Sequence, residues 1–280
     1  MKKRKRKKRL VISSGDKGGT CKSTLASGVA DVAVRHGWNV ILADAETSST
    51  QATATEIAVR SGYSPLSGNM EFPAFASWRF GDADGWMRFL NDIDRLDRDV
   101  LVVADSGAAQ QGALEGVLPV LAEAREAGVL TASVLFATGR SSDSRAAAQS
   151  YIRTLFKLPV EVRPQSWFAL VDPDGRPEEQ FHVSDPAAKP DVLTLARAIE
   201  EDPEHVRKLY IGRFPACFFE PLFFERRTPA AVLADPGTPF GTRSMLSRWL
   251  RTVFDPMILP IISTPEPAQE PEETPSEETA

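Results

Sequence analysis

The chain has 280 residues, 42% of them hydrophobic and 25% charged, and a formal net charge of −5. This size suits one large domain or two small ones with a buried core. Its two cysteines, Cys21 and Cys217, are too few for a disulfide framework. We therefore expect a protein of the reducing cytoplasm, and no apolar run approaches the length that spans a membrane.

Short apolar runs alternate with helical patterns along the chain. In chain order, the pattern predicts a strand at 9–14, a helix at 23–36, a strand at 39–43, helices at 51–60 and 86–96, a strand at 100–104, a helix at 114–127, a strand at 129–137, a helix at 141–156, strands at 160–162 and 167–171, and helices at 188–200 and 240–254. Residues 61–85 show no clear period. The alternation predicts an α/β fold with a mostly parallel central sheet flanked by helices.

Charge is unevenly distributed between the chain ends and the body. Every residue from Lys2 to Arg9 is basic, and subtracting these eight charges from −5 leaves −13. Such a block predicts an arm at 1–9 that contacts DNA phosphate or an anionic membrane surface, although a solubilising terminus remains an alternative. Residues 263–280 are rich in proline and glutamate and are expected to be a disordered tail. A domain at 10–262, less regular and aromatic-rich from 203, lies between them.

Residues 16–24 read Asp-Lys-Gly-Gly-Thr-Cys-Lys-Ser-Thr and lie between a predicted strand and a predicted helix. Consecutive glycines let amide groups turn towards an anion, and a helix N-terminus adds partial positive charge. In a phosphate-binding loop, a lysine reaches the outer phosphates and a hydroxyl binds Mg²⁺, which are roles for Lys22 and Ser23. The generic pattern has glycine where this chain has Asp16 and Cys21.

The order Lys-Gly-Gly-x-x-Lys-Ser resembles the deviant Walker A loop of the ParA/MinD ATPase family, and motif order extends the resemblance over roughly the first 170 residues. It implies a P-loop NTPase that binds ATP and Mg²⁺ and forms a homodimer on ATP binding. Lys17 would be the signature lysine that reaches the partner subunit's nucleotide, while Lys22 would bind the nucleotide of its own subunit. The nucleotide-binding residues that it implies are Lys17, Gly18, Gly19, Thr20, Cys21, Lys22, Ser23 and Thr24.

Two predicted strands end in an aspartate, Asp44 and Asp105, and ligands of open α/β sheets bind beyond such strand ends. Either aspartate could instead cap the following helix. Asp105-Ser106-Gly107 resembles the family's switch II, and Asp44-Ala45-Glu46 resembles its switch I, where an aspartate usually stands in place of Glu46. The resemblance implies catalytic roles for Lys17, Asp44, Glu46 and Asp105, and a Mg²⁺ site at Ser23 and Asp105. The extra methylene of Glu46 shifts its carboxylate by about 1 Å, so we expect slow hydrolysis.

The leading hypothesis is an ATP-hydrolysing switch that acts in plasmid partition, mobilisation or conjugative transfer. The Asp-x-Gly-Ala sequence that starts at Asp105 is similar to the TraL-like branch associated with conjugation. An unidentified partner protein would stimulate its weak hydrolysis. The alternatives are a small-molecule kinase or ligase of the same superclass, and a nucleotide-binding scaffold with little turnover.

Overall fold

The computed structural model describes residues 7–15, 22–45, 53–67, 71–106, 111–138, 142–171, 195–211, 221–222 and 225–263. Several predictions therefore concern residues outside this part of the chain. They include residues 16–21 of the predicted phosphate-binding loop, Glu46, Gly107, residues 1–6 of the predicted arm, the start of the helix predicted at 188–200, and the tail from residue 264.

The described residues form one eight-stranded sheet in the order β3-β4-β2-β5-β1-β6-β7-β8. The strands are β1 (Lys8–Ser14), β2 (Val40–Asp44), β3 (Ser64–Pro65), β4 (Ala74–Ser77), β5 (Val100–Asp105), β6 (Thr131–Thr138), β7 (Gln165–Val171) and β8 (Val206–Ile211). Every neighbouring pair is parallel, which confirms the predicted α/β class. The sequence did not predict β3, β4 or β8.

Helices cover both faces of the sheet. They are α1 (Lys22–Arg35), α2 (Thr53–Arg60), α3 (Ala83–Arg95), α4 (Gln111–Glu126), α5 (Ser142–Leu155), α6 (Leu195–Glu201), α7 (Pro229–Ala234), α8 (Phe240–Trp249) and α9 (Asp255–Ile262). A π-helical turn, Leu250–Phe254, joins α8 to α9. Among the described residues, no helix has the length and apolar content needed to cross a membrane.

Alternate residues of each central strand face different helical layers. In β5, Val102 and Ala104 belong to the apolar cluster with α3, α4, α5 and α6, whereas Leu101 and Val103 belong to the cluster with α1, α2, α7 and α9. Because both faces are covered, β5 is buried throughout its length. This explains why the sequence shows the strand as a continuous apolar run rather than as an alternating pattern.

Two predictions of secondary structure are wrong in detail. The strand predicted at 160–162 is one turn of 3₁₀ helix, Val160–Val162, which lies between two prolines with none of its residues buried. The helix predicted at 240–254 continues through the π turn to Ile262. Along this helix Leu246 and Leu250 are buried, whereas Met245 is 51% exposed.

The basic arm runs into the sheet, because β1 begins at Lys8. The backbone amide of Lys7 donates to the Asp99 carboxylate at 2.8 Å, and the Lys8 ammonium lies 3.2 Å from the carboxylate of Asp94. Burial lowers the pKa of Arg9 to about 10. Lys7, Lys8 and Arg9 are thus part of the folded domain, and five of the eight basic residues, 2–6, come before it.

A charge cluster of two buried carboxylates and one partly exposed arginine joins α1 to α7 and α9. Arg35 Nη1 and Nη2 donate to the two carboxylate oxygens of Asp255 at 2.6 and 2.8 Å, and Nε donates to Asp31 at 2.9 Å. The other Asp31 oxygen accepts from the Ala230 amide at 2.7 Å. Burial raises the pKa of Asp31, although Arg35 acts in the opposite direction. Nearby, a Cβ added to Gly28 would lie 2.6 Å from the Phe254 ring, so helix and ring are in close contact.

Replacing Arg35 with methionine is expected to destabilise the fold by about 2–4 kcal/mol at pH 7, because two buried carboxylates lose their cation. The deficit should shrink as the pH falls towards 5. With Asp31 titrating at a higher pKa when folded than when unfolded, protonation favours the folded state. Urea denaturation of Arg35→Met at several pH values measures this, with Arg153→Met on α5 as the exposed control. A pH-independent deficit would contradict the explanation.

Candidate functional site

Three polar residues lie in one row across adjacent strands at the carboxyl edge of the sheet. Asp44 of β2 is in register with Asp105 of β5, and Asp105 is in register with Ser13 of β1. Adjacent strands are about 4.8 Å apart, so the three positions are close neighbours. Each of the three lies two residues after an apolar residue of its own strand, namely Leu42, Val103 and Val11. These apolar residues pack in the cluster that contains α1. Because side chains alternate along a strand, all three face the start of α1.

The row is buried, with 3% exposure at Asp44, 6% at Asp105 and none at Ser13. Lys22, the first residue of α1, is also buried, at 8% exposure. Ser23 and Thr24 follow in the first helical turn and are half-buried. The predicted lysine, hydroxyls and aspartates therefore lie at the same edge of the sheet and on the same face.

Ser13 connects three parts of this edge. Its hydroxyl donates to the carbonyl of Lys22 at 3.0 Å. Its own carbonyl accepts two hydrogen bonds from Ser106, one from the backbone amide and one from the hydroxyl, both 2.9 Å long. The end of β1, the start of α1 and the residue after Asp105 are thus tied to one another. The sequence pointed to Ser106 only as part of the switch II resemblance, and it gave no sign of Ser13, since a serine at a strand end carries no distinctive pattern.

Gly15 marks the point where the chain leaves β1 for the loop. Its φ of +152° is rare for residues with a side chain, and a Cβ there would lie 2.6 Å from the carbonyl oxygen of Ala137. The backbone can run this close to β6 only without a side chain. Gly15 was also missed, because it lies just before the recognised motif.

Asp44 has a structural role as well as a place in the row. Its Oδ2 accepts a hydrogen bond of 2.8 Å from the Thr55 amide in the first turn of α2. The helix-capping alternative raised by the sequence thus holds for Asp44. The Ala45 amide donates to the Asp105 carbonyl at 2.9 Å and keeps the ends of β2 and β5 together. The capping bond fixes the direction of the Asp44 carboxylate.

The described residues suit a phosphate group and a hard cation. An anion there would meet the N-terminus of α1, whose first residue is Lys22, and the carboxylate and hydroxyl oxygens nearby are the ligand types that Mg²⁺ prefers. At Gly15 the backbone runs close to the Ala137 carbonyl, and no side chain is present there to block the start of the loop. The remaining predicted ligands, Lys17, Gly18, Gly19, Thr20 and Cys21, lie outside the described residues and stay predictions, as does Glu46.

No protein-family model and no curated protein matches the chain. Similar solved structures include the MinD cell division protein of Aquifex aeolicus, with 14% identity, 94% of this chain and 100% of that chain covered, and a TM-score of 0.49. The MinC:MinD cell division protein complex of the same organism has 14% identity, 94% and 99% coverage and a TM-score of 0.47. A ParA family ATPase from Chlorobium tepidum TLS has 13% identity, 88% and 100% coverage and a TM-score of 0.44. With TM-scores this low, functional conclusions depend on the chain's own residues.

Replacing Gly15 with alanine is expected to destabilise the protein by about 1–3 kcal/mol and to weaken the ATP binding that the sequence predicts about tenfold or more, because the new Cβ displaces the start of the loop. Gly37→Ala is the control, since Gly37 has a φ of +80° but no atom within 4 Å of an added Cβ. It should cost about 1 kcal/mol through its backbone alone and leave ATP affinity unchanged. Fluorescent-nucleotide titration and urea denaturation measure both; equal affinity losses would refute the close-contact explanation.

Proposed function

We propose that the protein is a nucleotide-dependent switch of the ParA/MinD type, which binds Mg-ATP at the carboxyl edge of the sheet and hydrolyses it slowly. The observation that carries this proposal is the buried row of Ser13, Asp105 and Asp44 facing the start of α1, where Lys22 and Ser23 lie. A lysine, a hydroxyl and two carboxylates next to a glycine-containing loop form the set of groups that phosphoryl transfer requires.

Each described residue has a distinct task in the proposed reaction. Lys22 and the amides at the start of α1 bind the outer phosphates and stabilise the charge that develops on them. Ser23 and Asp105 would hold Mg²⁺, which supplies further neutralisation of phosphate charge. Asp44, oriented by its bond to Thr55, would align the attacking water, together with Glu46. Ser13 and Ser106 keep β1, α1 and the end of β5 in register during these steps.

ATP would also control assembly. Lys17 stands at the position of the family's signature lysine, so the proposal includes an ATP-bound homodimer in which Lys17 of each subunit reaches the other subunit's nucleotide. The dimer would present a surface for a partner protein that stimulates hydrolysis. Movement of plasmid DNA in partition, mobilisation or conjugative transfer is the process that we propose for it, with the TraL-like branch favoured by the sequence after Asp105.

The two lysines are expected to behave differently when each is replaced by alanine. Lys22→Ala should abolish ATP binding, because Lys22 neutralises the outer phosphates within its own subunit. Lys17→Ala should retain most ATP affinity but lose ATP-dependent dimerisation and hydrolysis. Nucleotide titration, light scattering with ATP and phosphate release measure the three properties.

Lys157→Ala, at an exposed lysine after α5, is the control and should match the wild type. If Lys22→Ala still bound ATP with wild-type affinity, the proposed site would be wrong. If Lys17→Ala dimerised normally on ATP, the shared-site part of the proposal would fail while ATP binding itself survived.

The basic arm is expected to supply sequence-independent DNA affinity. Deleting residues 2–6 removes five positive charges but leaves β1 and the contacts of Lys7 and Lys8 in place. If all five contact phosphates, the slope of log affinity against log salt concentration should become shallower by about 4–5. DNA binding measured across a salt series tests this, and deletion of residues 276–280 provides a control of equal length. An unchanged slope would exclude phosphate contacts by the arm.

A further inference from the structure

Residues 225–230 cross α2 and α1, and we call this segment the strap. Arg60 Nη1 donates to the Glu225 carbonyl at 2.8 Å, and Arg226 forms an ion pair with Glu56. The Thr228 amide donates to Ser61 Oγ at 3.0 Å. The strap then reaches α1, where the Ala230 amide donates to the buried carboxylate of Asp31.

The strap has a constrained backbone. Arg226 has a φ of +52°, and no other non-glycine residue in the described part of the chain has a positive φ. A left-handed conformation is unfavourable for arginine, so neighbouring contacts must hold it in place. On its C-terminal side, Thr228 is fixed as the N-cap of α7, with its hydroxyl accepting from the Ala231 amide. On its N-terminal side, Arg60 holds the Glu225 carbonyl.

α2 is short and packs on the sheet and on α1 through one apolar face, so contacts on its other side add to its stability. It is eight residues long, and only Ala54, Ile57 and Ala58 are buried. Helices this short are not stable without tertiary contacts. The strap bonds three residues in and next to α2. These are Glu56 and Arg60 in the helix and Ser61 just after it. The strap therefore adds to the packing of Ala54, Ile57 and Ala58 in holding α2 in place.

The same helix reaches the candidate site. The Thr55 amide in its first turn donates to Asp44 Oδ2, and Asp44 lies in the buried row beside Asp105. Any shift of α2 would change the direction of this bond and of the carboxylate that accepts it. A chain of contacts thus runs from the strap through α2 to the residue proposed to orient water.

We propose that the strap positions Asp44 for ATP hydrolysis by fixing α2, with Ser61 and Arg226 as positioning residues that touch neither nucleotide nor metal. The inference rests on the proposed ATPase function. It assigns to the C-terminal segment a role in the rate of hydrolysis rather than in the binding of ATP.

The test is the double variant Ser61→Ala/Arg226→Ala in the full chain, measured in two ways. Amide hydrogen exchange within residues 53–60, in the absence of ATP, should be about 5–10-fold faster, because two strap contacts are lost. The kcat for ATP hydrolysis should fall about 3–10-fold while KM for ATP changes by less than about twofold, since orientation of the water is impaired and phosphate binding is not.

The matched control is Arg88→Ala/Ser244→Ala, which removes the same two side-chain types from exposed positions on α3 and α8. It should match the wild type in both measurements. The conservative variant Ser61→Thr/Arg226→Lys keeps a hydroxyl and a cation and should recover most of the lost exchange protection and kcat.

Two results would overturn the inference. One is exchange in 53–60 that equals the control. The other is faster exchange with an unchanged kcat, which would show that the order of α2 does not affect the reaction. A wild-type chain that neither binds nor hydrolyses ATP would instead refute the proposed function, and the exchange data would still report the strap's hold on α2.

Discussion

The carbonyl oxygen of Ser13 is the acceptor on which the geometry of the carboxyl edge depends. It receives two hydrogen bonds from Ser106, while the hydroxyl of the same serine reaches back to the first residue of α1. Buried hydrogen bonds are costly to break when no water can replace them. These three hydrogen bonds therefore fix the start of α1 relative to the end of β5. The arrangement of Lys22 and Asp105 is thus set by a residue that has no proposed chemical role.

The sequence was sufficient to predict the central strands and the helices between them. β1, β2, β5 and β6 are continuous apolar runs because both faces of the sheet are covered, and each is followed by a helical period. β8 was missed because Arg207 and Lys208 interrupt its apolar pattern at the edge of the sheet, where exposure is tolerated. β3 and β4 have only two and four residues and give no usable period.

The candidate site divides along similar lines. Motif spacing was enough to single out Lys22, Ser23, Asp44 and Asp105, and the sheet register places the two aspartates side by side. Ser13, Gly15 and the strap could not be found in the same way. Their importance lies in contacts with residues distant in the sequence, such as Gly15 with Ala137 and Thr228 with Ser61. A single sequence does not show which distant residues meet.

The charge cluster of Asp31, Arg35 and Asp255 also has a consequence for how the chain is made. Arg35 and Asp255 are 220 residues apart, so α1 acquires this ion pair only after residue 255 has been synthesised. Until Phe254 and Asp255 emerge, Arg35 has Asp31 as its only carboxylate partner in this cluster, and Gly28 lacks the aromatic ring that covers it. During synthesis, one face of α1 therefore stays uncovered until residues 254 and 255 have been made. The final packing of α1 is therefore expected to form late in translation.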